Sequence, residues 1–327
     1  MPRTTPRVTR RALLAMPALA ALPVAALAQT YPTAPIRIVI GFGAGGLADV
    51  TVRLVGEQLS RRLGQQVVVD NRPGAGGGVA ARFAAAAEPD GHTLMVLSTG
   101  NAINKGLFRS LPYDPVADFT PISAMVSFDL LMLTGANSPL RSVRDVLAAG
   151  RRGGPGLTIA TISPGSTQNL AGEWLRVAAG LDATVVPYRT TPEVLTALQR
   201  GDAMIGFESF AAARGAIEGG NVRPIAGTGE RRSALLPQLP TLREEGLADY
   251  AVTGWNALFA PARTPAPIVA LLNRHIGEIL AEPAFRQRML GLGVEPAANT
   301  PEQMGKLLRD DIALWSSVIE RAGIEKQ

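Results

Sequence analysis

The chain has no cysteine, and only two histidines among 327 residues. Without cysteine there are no disulfide staples, thiolate metal sites, thiol nucleophile or lipid-anchored cysteine, so the core alone must hold the fold. His92 sits in the turn PDGHTL and His275 in the helical stretch LLNRHIGEIL. Neither is paired with a carboxylate in sequence, and both read as surface or packing residues. No residue cluster has metal-ligand spacing. Lysine occurs only at 105, 306 and 326, so arginine carries the basic charge. Aromatics make up 5% of the chain and do not interleave with a basic stripe, which excludes a nucleic-acid surface. A membrane-spanning run is missing too. The longest apolar stretch near the start, residues 12–27, is interrupted by Pro17 and Pro23 and is too short to span.

That stretch reads instead as part of a leader. MPRTTPRVTRR carries four arginines and no acid, and Ala26-Leu27-Ala28 is an A-x-A cleavage signal. Residues 1–28 are therefore expected to be a signal peptide removed after Ala28, placing the mature chain in the periplasm. Arg10-Arg11 after Thr9 points to the twin-arginine route. Four of the 32 basic residues and none of the 27 acidic ones lie in this leader, so the mature chain is close to neutral.

Strand and helix patterns alternate along the rest. IRIVI (36–40) precedes a helix with Val52, Val55 and Leu59 at helical spacing, which stops at Gly64. VVVD (67–70), TLMVL (93–97), LTIAT (157–161), TVVPY (184–188), MIGF (204–207) and VRPIAGT (222–228) are further strands. Ser142/Asp145, Thr191-Pro192, Thr241/Glu244, Thr264-Pro265 and Thr300/Gln303 mark helix starts. Two long extended runs, 122–133 and 250–260, interrupt this rhythm. They predict two α/β domains joined by two crossing strands: residues 29–125 plus 255–327 as a discontinuous first domain, and 126–254 as the second. A ligand cleft is expected between them.

Two glycine turns carry the chemistry. GFGAGGLAD (41–49) ends the first strand of one domain, and SPGST (163–167) ends that of the other. A helix start offers unpaired N–H groups and the positive end of a dipole, and glycine lets an anion approach closely. Two anions suit such turns. Gly41, Gly43 and Gly46 spell G-x-G-x-x-G, with Asp70 at the end of the next apolar run, so an exported NAD-dependent oxidoreductase is one reading. Against it, Asp70 also reads as a strand-end turn residue, and no Tyr-x-x-x-Lys or placed Cys serves hydride transfer. The other reading is a carboxylate receptor without a cofactor.

The order of segments resembles the solute-binding receptors of tripartite tricarboxylate transporters, the Bug-type receptors. The similarity spans the mature chain. It rests on Phe42 with Gly45-Gly46, Asp49 and Arg53, on DNRPGAGG (70–77), PDGHTL (89–94), AIN (102–104) and LPYDPVADFTPI (111–122). SPGST, VPY (186–188), LPQLPTLREEGL (236–247) and W-x-x-LFAPARTP (255–265) complete it. The resemblance implies a two-lobed periplasmic-binding-protein type II fold and no catalysis. It implies capture of a small carboxylate for a two-component membrane permease, with a membrane sensor as a further partner; nothing indicates a stable oligomer or a cofactor.

In that family the two turns grip a ligand carboxylate. Carried over, the first-turn contacts are Phe42, Gly43, Ala44, Gly45, Gly46, Leu47 and Asp49. The second-turn contacts are Ser163, Gly165, Ser166 and Thr167. Ser98, Asn101, Arg189, Met204 and Phe207 complete the set, although Phe42 and Phe207 equally suit lobe packing and Trp255 reads as hinge or core. The chain departs from the family pattern at Ala44, Leu47 and Ala48, which stand where proline and two hydroxyls are usual. Arg189-Thr190-Thr191 stand for Lys-Gly, and Met204 for a polar residue. These changes favour an apolar or aromatic monocarboxylate.

Overall fold

The computed structural model describes residues 1–2, 31–44, 47–74, 77–151, 156–162 and 164–327. The expected leader with its cleavage site, and Gly45, Gly46 and Ser163 of the two turns, lie outside the described residues. From residue 31 the order is β1 (Ile36–Ile40), α1 (Leu47–Leu63), β2 (Val67–Asn71), α2 (Gly78–Ala85), β3 (Thr93–Ser98), α3 (Thr99–Leu107) and β4 (Phe119–Gly135). There follow α4 (Val143–Gly150), β5 (Leu157–Ile162), α5 (Thr167–Ala178), β6 (Ala183–Tyr188), α6 (Thr191–Arg200), β7 (Ile205–Ser209), α7 (Phe210–Glu218) and β8 (Val222–Gly227). The chain closes with β9 (Thr253–Pro261), α8 (Ala266–Ala281), α9 (Pro283–Gly291), β10 (Glu295–Pro296) and α10 (Pro301–Ala322).

The strands form one hydrogen-bonded network in the order β2-β1-β3-β9-β4-β7-β5-β6, with β8 and β10 also on β4. β1, β2 and β3 are parallel, as are β5, β6 and β7. β4 belongs to both sets. Its first part, Phe119 to Asp129, pairs antiparallel with β9, and Leu130 to Leu133 pair with β7. The chain returns at Val252, whose N–H donates to the Thr228 carbonyl (2.8 Å), and at Thr253, opposite Asp129.

Alternation along the strands assigns the faces, because successive side chains point to opposite sides of a sheet. Val39, Met95, Leu97, Leu130, Met132, Ile159, Ile205 and Phe207 share a core with α2, α3, α5 and α10. Ile36, Ile38, Ile40, Leu94 and Val96 face α1, α8 and α9 instead. Leu131, Leu133 and Ala160 face α6 and α7. The first core runs through both strand sets, and Trp174 of α5 meets Trp315 of α10 edge-on at 6.0 Å.

Two expected helix starts differ. Thr241 and Glu244 exchange capping bonds (3.0 and 3.1 Å), but only a turn follows, since Gly246 at φ +105 ends it within five residues. α6 is capped by Thr190, one residue before the expected Thr191, because Pro192 then falls inside the first turn.

Candidate functional site

Strand order and helix placement locate two crevices. α1 leaves β1 toward one face and α3 leaves β3 toward the other, so the order reverses between β1 and β3. α5 and α7 diverge in the same way between β5 and β7. Open α/β sheets bind ligands at such reversals, beyond the carboxyl ends of the strands. The first glycine turn and Ser98 flank the first crevice; SPGST and Ser209 flank the second.

At the first crevice the turn is braced by charge. Asp49, 3% exposed, pairs with Arg53 at 2.8 Å. Asn71 donates to Asp49 Oδ1 (2.9 Å) and to the Phe42 carbonyl (3.1 Å), while its own Oδ1 accepts from Arg53 (2.9 Å). The expected contact Asp49 is thus a brace of the turn, and Arg53 and Asn71 belong with it. Phe42 stays 41% exposed, and Gly43 and Ala44 are exposed beside it. Leu47 is half-buried and packs on the core beneath. Gly41 passes so close to Gly77 that a Cβ on Gly41 would lie 2.6 Å from the Gly77 Cα, which ties the turns after β1 and β2 together.

Ser98 and Asn101 are both buried. Asn101 Oδ1 accepts from the Ser98 N–H (2.9 Å) and hydroxyl (3.2 Å), and its amide donates to the Tyr113 hydroxyl (2.8 Å). The pair caps α3. Thr99 beside it accepts the Trp255 N–H (2.9 Å), and the Trp255 indole donates to Asp311 (2.6 Å), so Trp255 is a core residue.

At the second crevice the brace is neutral. Ser166 caps α5 by accepting from the Asn169 N–H (3.0 Å) and donates to the Ile162 carbonyl (2.8 Å). Asn169 accepts from the Gly165 N–H (3.1 Å) and donates to Thr161 (3.3 Å). Gly165 has φ +78, and a Cβ there would meet the Leu107 side chain of α3 at 2.3 Å. The second turn therefore lies against the helix that starts at the first crevice. Thr167 opens α5.

The remaining expected contacts scatter. Phe207 is fully buried in the shared core. Met204 precedes β7, with its N–H on the Thr158 carbonyl. At ~3.3 Å per strand residue it lies roughly 16 Å from the crevice end at Ser209. Arg189 is exposed just past the edge strand β6, and its N–H donates to Glu193 (3.0 Å).

Sequence reasoning missed Glu208. It is 1% exposed at the crevice end of β7 and accepts from Thr191 (2.7 Å), Gln168 (3.4 Å) and the Ser209 N–H (3.2 Å). Burial pushes its carboxyl above the ordinary range, and the three donors pull it back. The available signal was alternation: Phe207 points into the core, so Glu208 must point away, directly before a Ser helix cap.

Among the described residues no group of three potential metal ligands occurs, and no helix is long and apolar enough to cross a membrane. The profile of the tripartite tricarboxylate transporter family receptors matches residues 51–324. A UPF0065 protein of Bordetella bronchiseptica is 35% identical over 96% of this chain and 94% of its own. The structure of Rpa4515 from R. palustris with adipate has TM-score 0.79 and 31% identity, covering 90% of this chain and 99% of that one. MatC from Rhodopseudomonas palustris with bound malate has TM-score 0.75 and 31% identity, covering 88% and 100%. These matches replace the dinucleotide reading and fix the fold as that of periplasmic binding proteins. The chain belongs to the solute-binding receptors of the tripartite tricarboxylate transporter family.

Proposed function

We propose that the chain is a non-catalytic periplasmic receptor that captures a small, apolar or aromatic monocarboxylate and delivers it to a two-component membrane permease. The export signal in residues 1–28 supplies its location. It works as a monomer, and a membrane sensor is a second acceptor of the loaded form. Residues 29–125 with 255–327 act as one lobe and 126–254 as the other, swinging about β4 near residues 127–130 and the return at 252–253.

The observation that carries this reading is the pair of crevices, each with a glycine turn at a helix start and a capped second helix start beside it. Main-chain N–H groups of the two turns take the ligand carboxylate, with Phe42, Gly43, Ala44, Gly45, Gly46 and Leu47 on one side. Ser163, Ser166 and Thr167 are on the other, where Gly165, its own N–H held by Asn169, shapes the turn against the ligand. Three or four hydrogen bonds to a charged acceptor, at about 1.5–3 kcal/mol each, match the roughly 8 kcal/mol of a micromolar complex before ordering costs. Ala44, Leu47 and Ala48 bring no hydroxyl to the first turn, which supports an apolar ligand body. Two relatives near 31% identity hold adipate and malate, which supports the carboxylate class.

Thermal unfolding and calorimetry with benzoate, hexanoate, adipate, malate and NAD test this. A monocarboxylate at a hundred times its Kd stabilises the receptor by about 2.7 kcal/mol, and NAD leaves it unchanged. A shift with NAD and none with any acid overturns the reading.

A further inference from the structure

Glu208 stands where a receptor for acids has least use for a negative charge. It ends β7 at the second crevice, and its three donors come from the starts of three helices: Gln168 in the first turn of α5, Thr191 at the start of α6 and Ser209 capping α7. The Gln168 amide nitrogen and the Ser209 N–H can only donate, both to Oε2, which suits an ionised carboxylate. Among the described residues no lysine or arginine pairs with it, whereas Asp49 at the first crevice has Arg53. Its partners Gln168, Thr191 and Ser209 are all uncharged. The starts of α6 and α7, together with the Gln168 side chain, are thus already committed to an internal anion, while the main-chain N–H groups at the start of α5 are not.

We propose that Glu208 sets the selectivity of the cleft: with one ligand carboxylate held between the two glycine turns, its charge at the end of β7 makes the Ser209 side of the second crevice negative and rejects a second carboxylate there. The far end of a bound acid is then apolar, or offers a hydrogen-bond donor such as a hydroxyl. This rests on the receptor reading above and assigns its preference for monocarboxylates to one residue, by charge exclusion rather than by pocket shape. Because Glu208 is buried, it acts on the ligand through its field, as a specificity-determining residue that need not touch it.

The test uses two matched sets in which only the far end changes: hexanoate, 6-hydroxyhexanoate and adipate; and benzoate, 4-hydroxybenzoate and terephthalate. Affinities are measured by calorimetry on the mature wild-type protein, on Glu208→Gln, which keeps the shape and removes the charge, and on Gln168→Lys, which keeps Glu208 and places a cation beside it. The wild type is expected to prefer the monoacid or hydroxy acid over the diacid by tenfold or more in at least one set. Both variants are expected to narrow that ratio at least tenfold, because the diacid gains more affinity than the monoacid. A general loss of structure would weaken all acids together and would not move the ratio. Gln168→Lys keeps the question answerable if Glu208→Gln does not fold. A wild type that binds diacids as well as monoacids, or ratios unmoved in both variants, overturns the proposal and leaves the carboxylate receptor standing. Absence of binding to all six acids, with none bound from the wider panel, overturns both.

Discussion

The turn after β1 and the turn after β5 each end a strand and start a helix, and they are held in opposite ways. The first is fastened by a charged network, Asp49, Arg53 and Asn71, that reaches the Phe42 carbonyl from the side. Arg53 is half exposed, so water and salt screen part of that network. The second is fastened by neutral groups, Ser166 and Asn169, and by the close fit of Gly165 on Leu107. The first turn is thus held by a partly screened charge network, and the second by neutral bonds and close packing. On the hinged-receptor reading proposed above, the packed turn would set the geometry of the cleft and the screened one would adjust to the ligand.

That contrast is broken most directly at Gly165. Gly165→Val puts a β-branched side chain at positive φ and drives its Cβ into Leu107, and is expected to cost roughly 2–5 kcal/mol in urea unfolding. A loss below 1 kcal/mol would mean the second turn is as yielding as the first. Next comes Asp311 of α10, the helix that packs on both α3 and α5. Burial raises its carboxyl from 3.8 to about 6. Its folded value exceeds its unfolded one, so its contribution to stability is full below pH 4 and is lost as pH rises through 6. The loss is up to about 3 kcal/mol. Asp311→Asn should flatten stability over that window in pH-dependent unfolding, and an unchanged slope would count against its burial.

At the first turn, Asn71→Ala removes the bridge to Phe42 and is expected to cost about 1–2 kcal/mol. Amide exchange at residues 42–44 should quicken while the turn at 164–167 keeps its protection. Equal loosening at both turns would erase the distinction. The smallest effect belongs to Gly43→Ala. A Cβ there meets nothing within 4 Å, so stability should stay within about 0.5 kcal/mol in the same unfolding assay.

Much of this arrangement was legible in the sequence because it is local. Apolar alternation in IRIVI, the helical spacing of Val52, Val55 and Leu59, and the Thr300/Gln303 capping box act over a few residues and appear as read. The failures share a cause. The resemblance points to Met204, which the fold places before β7 at the end away from Ser209, whereas Glu208 sits at the crevice end. Which end of a strand faces a crevice depends on the strands beside it. Thr241/Glu244 forms its local bonds, but Gly246 at positive φ stops the helix after one turn.

The sequence by itself determined the elements, the two glycine turns and the absence of staples, since dihedral preference and side-chain period act between near neighbours. Only the tertiary structure decided that Asp49 pairs with Asn71 as well as Arg53, that Gly165 rests on Leu107, and that one carboxylate gathers donors from three helices. Those contacts join residues up to 58 positions apart. Such pairs meet only after β4 has joined the two strand sets, because side-chain forces fall away within a few ångströms.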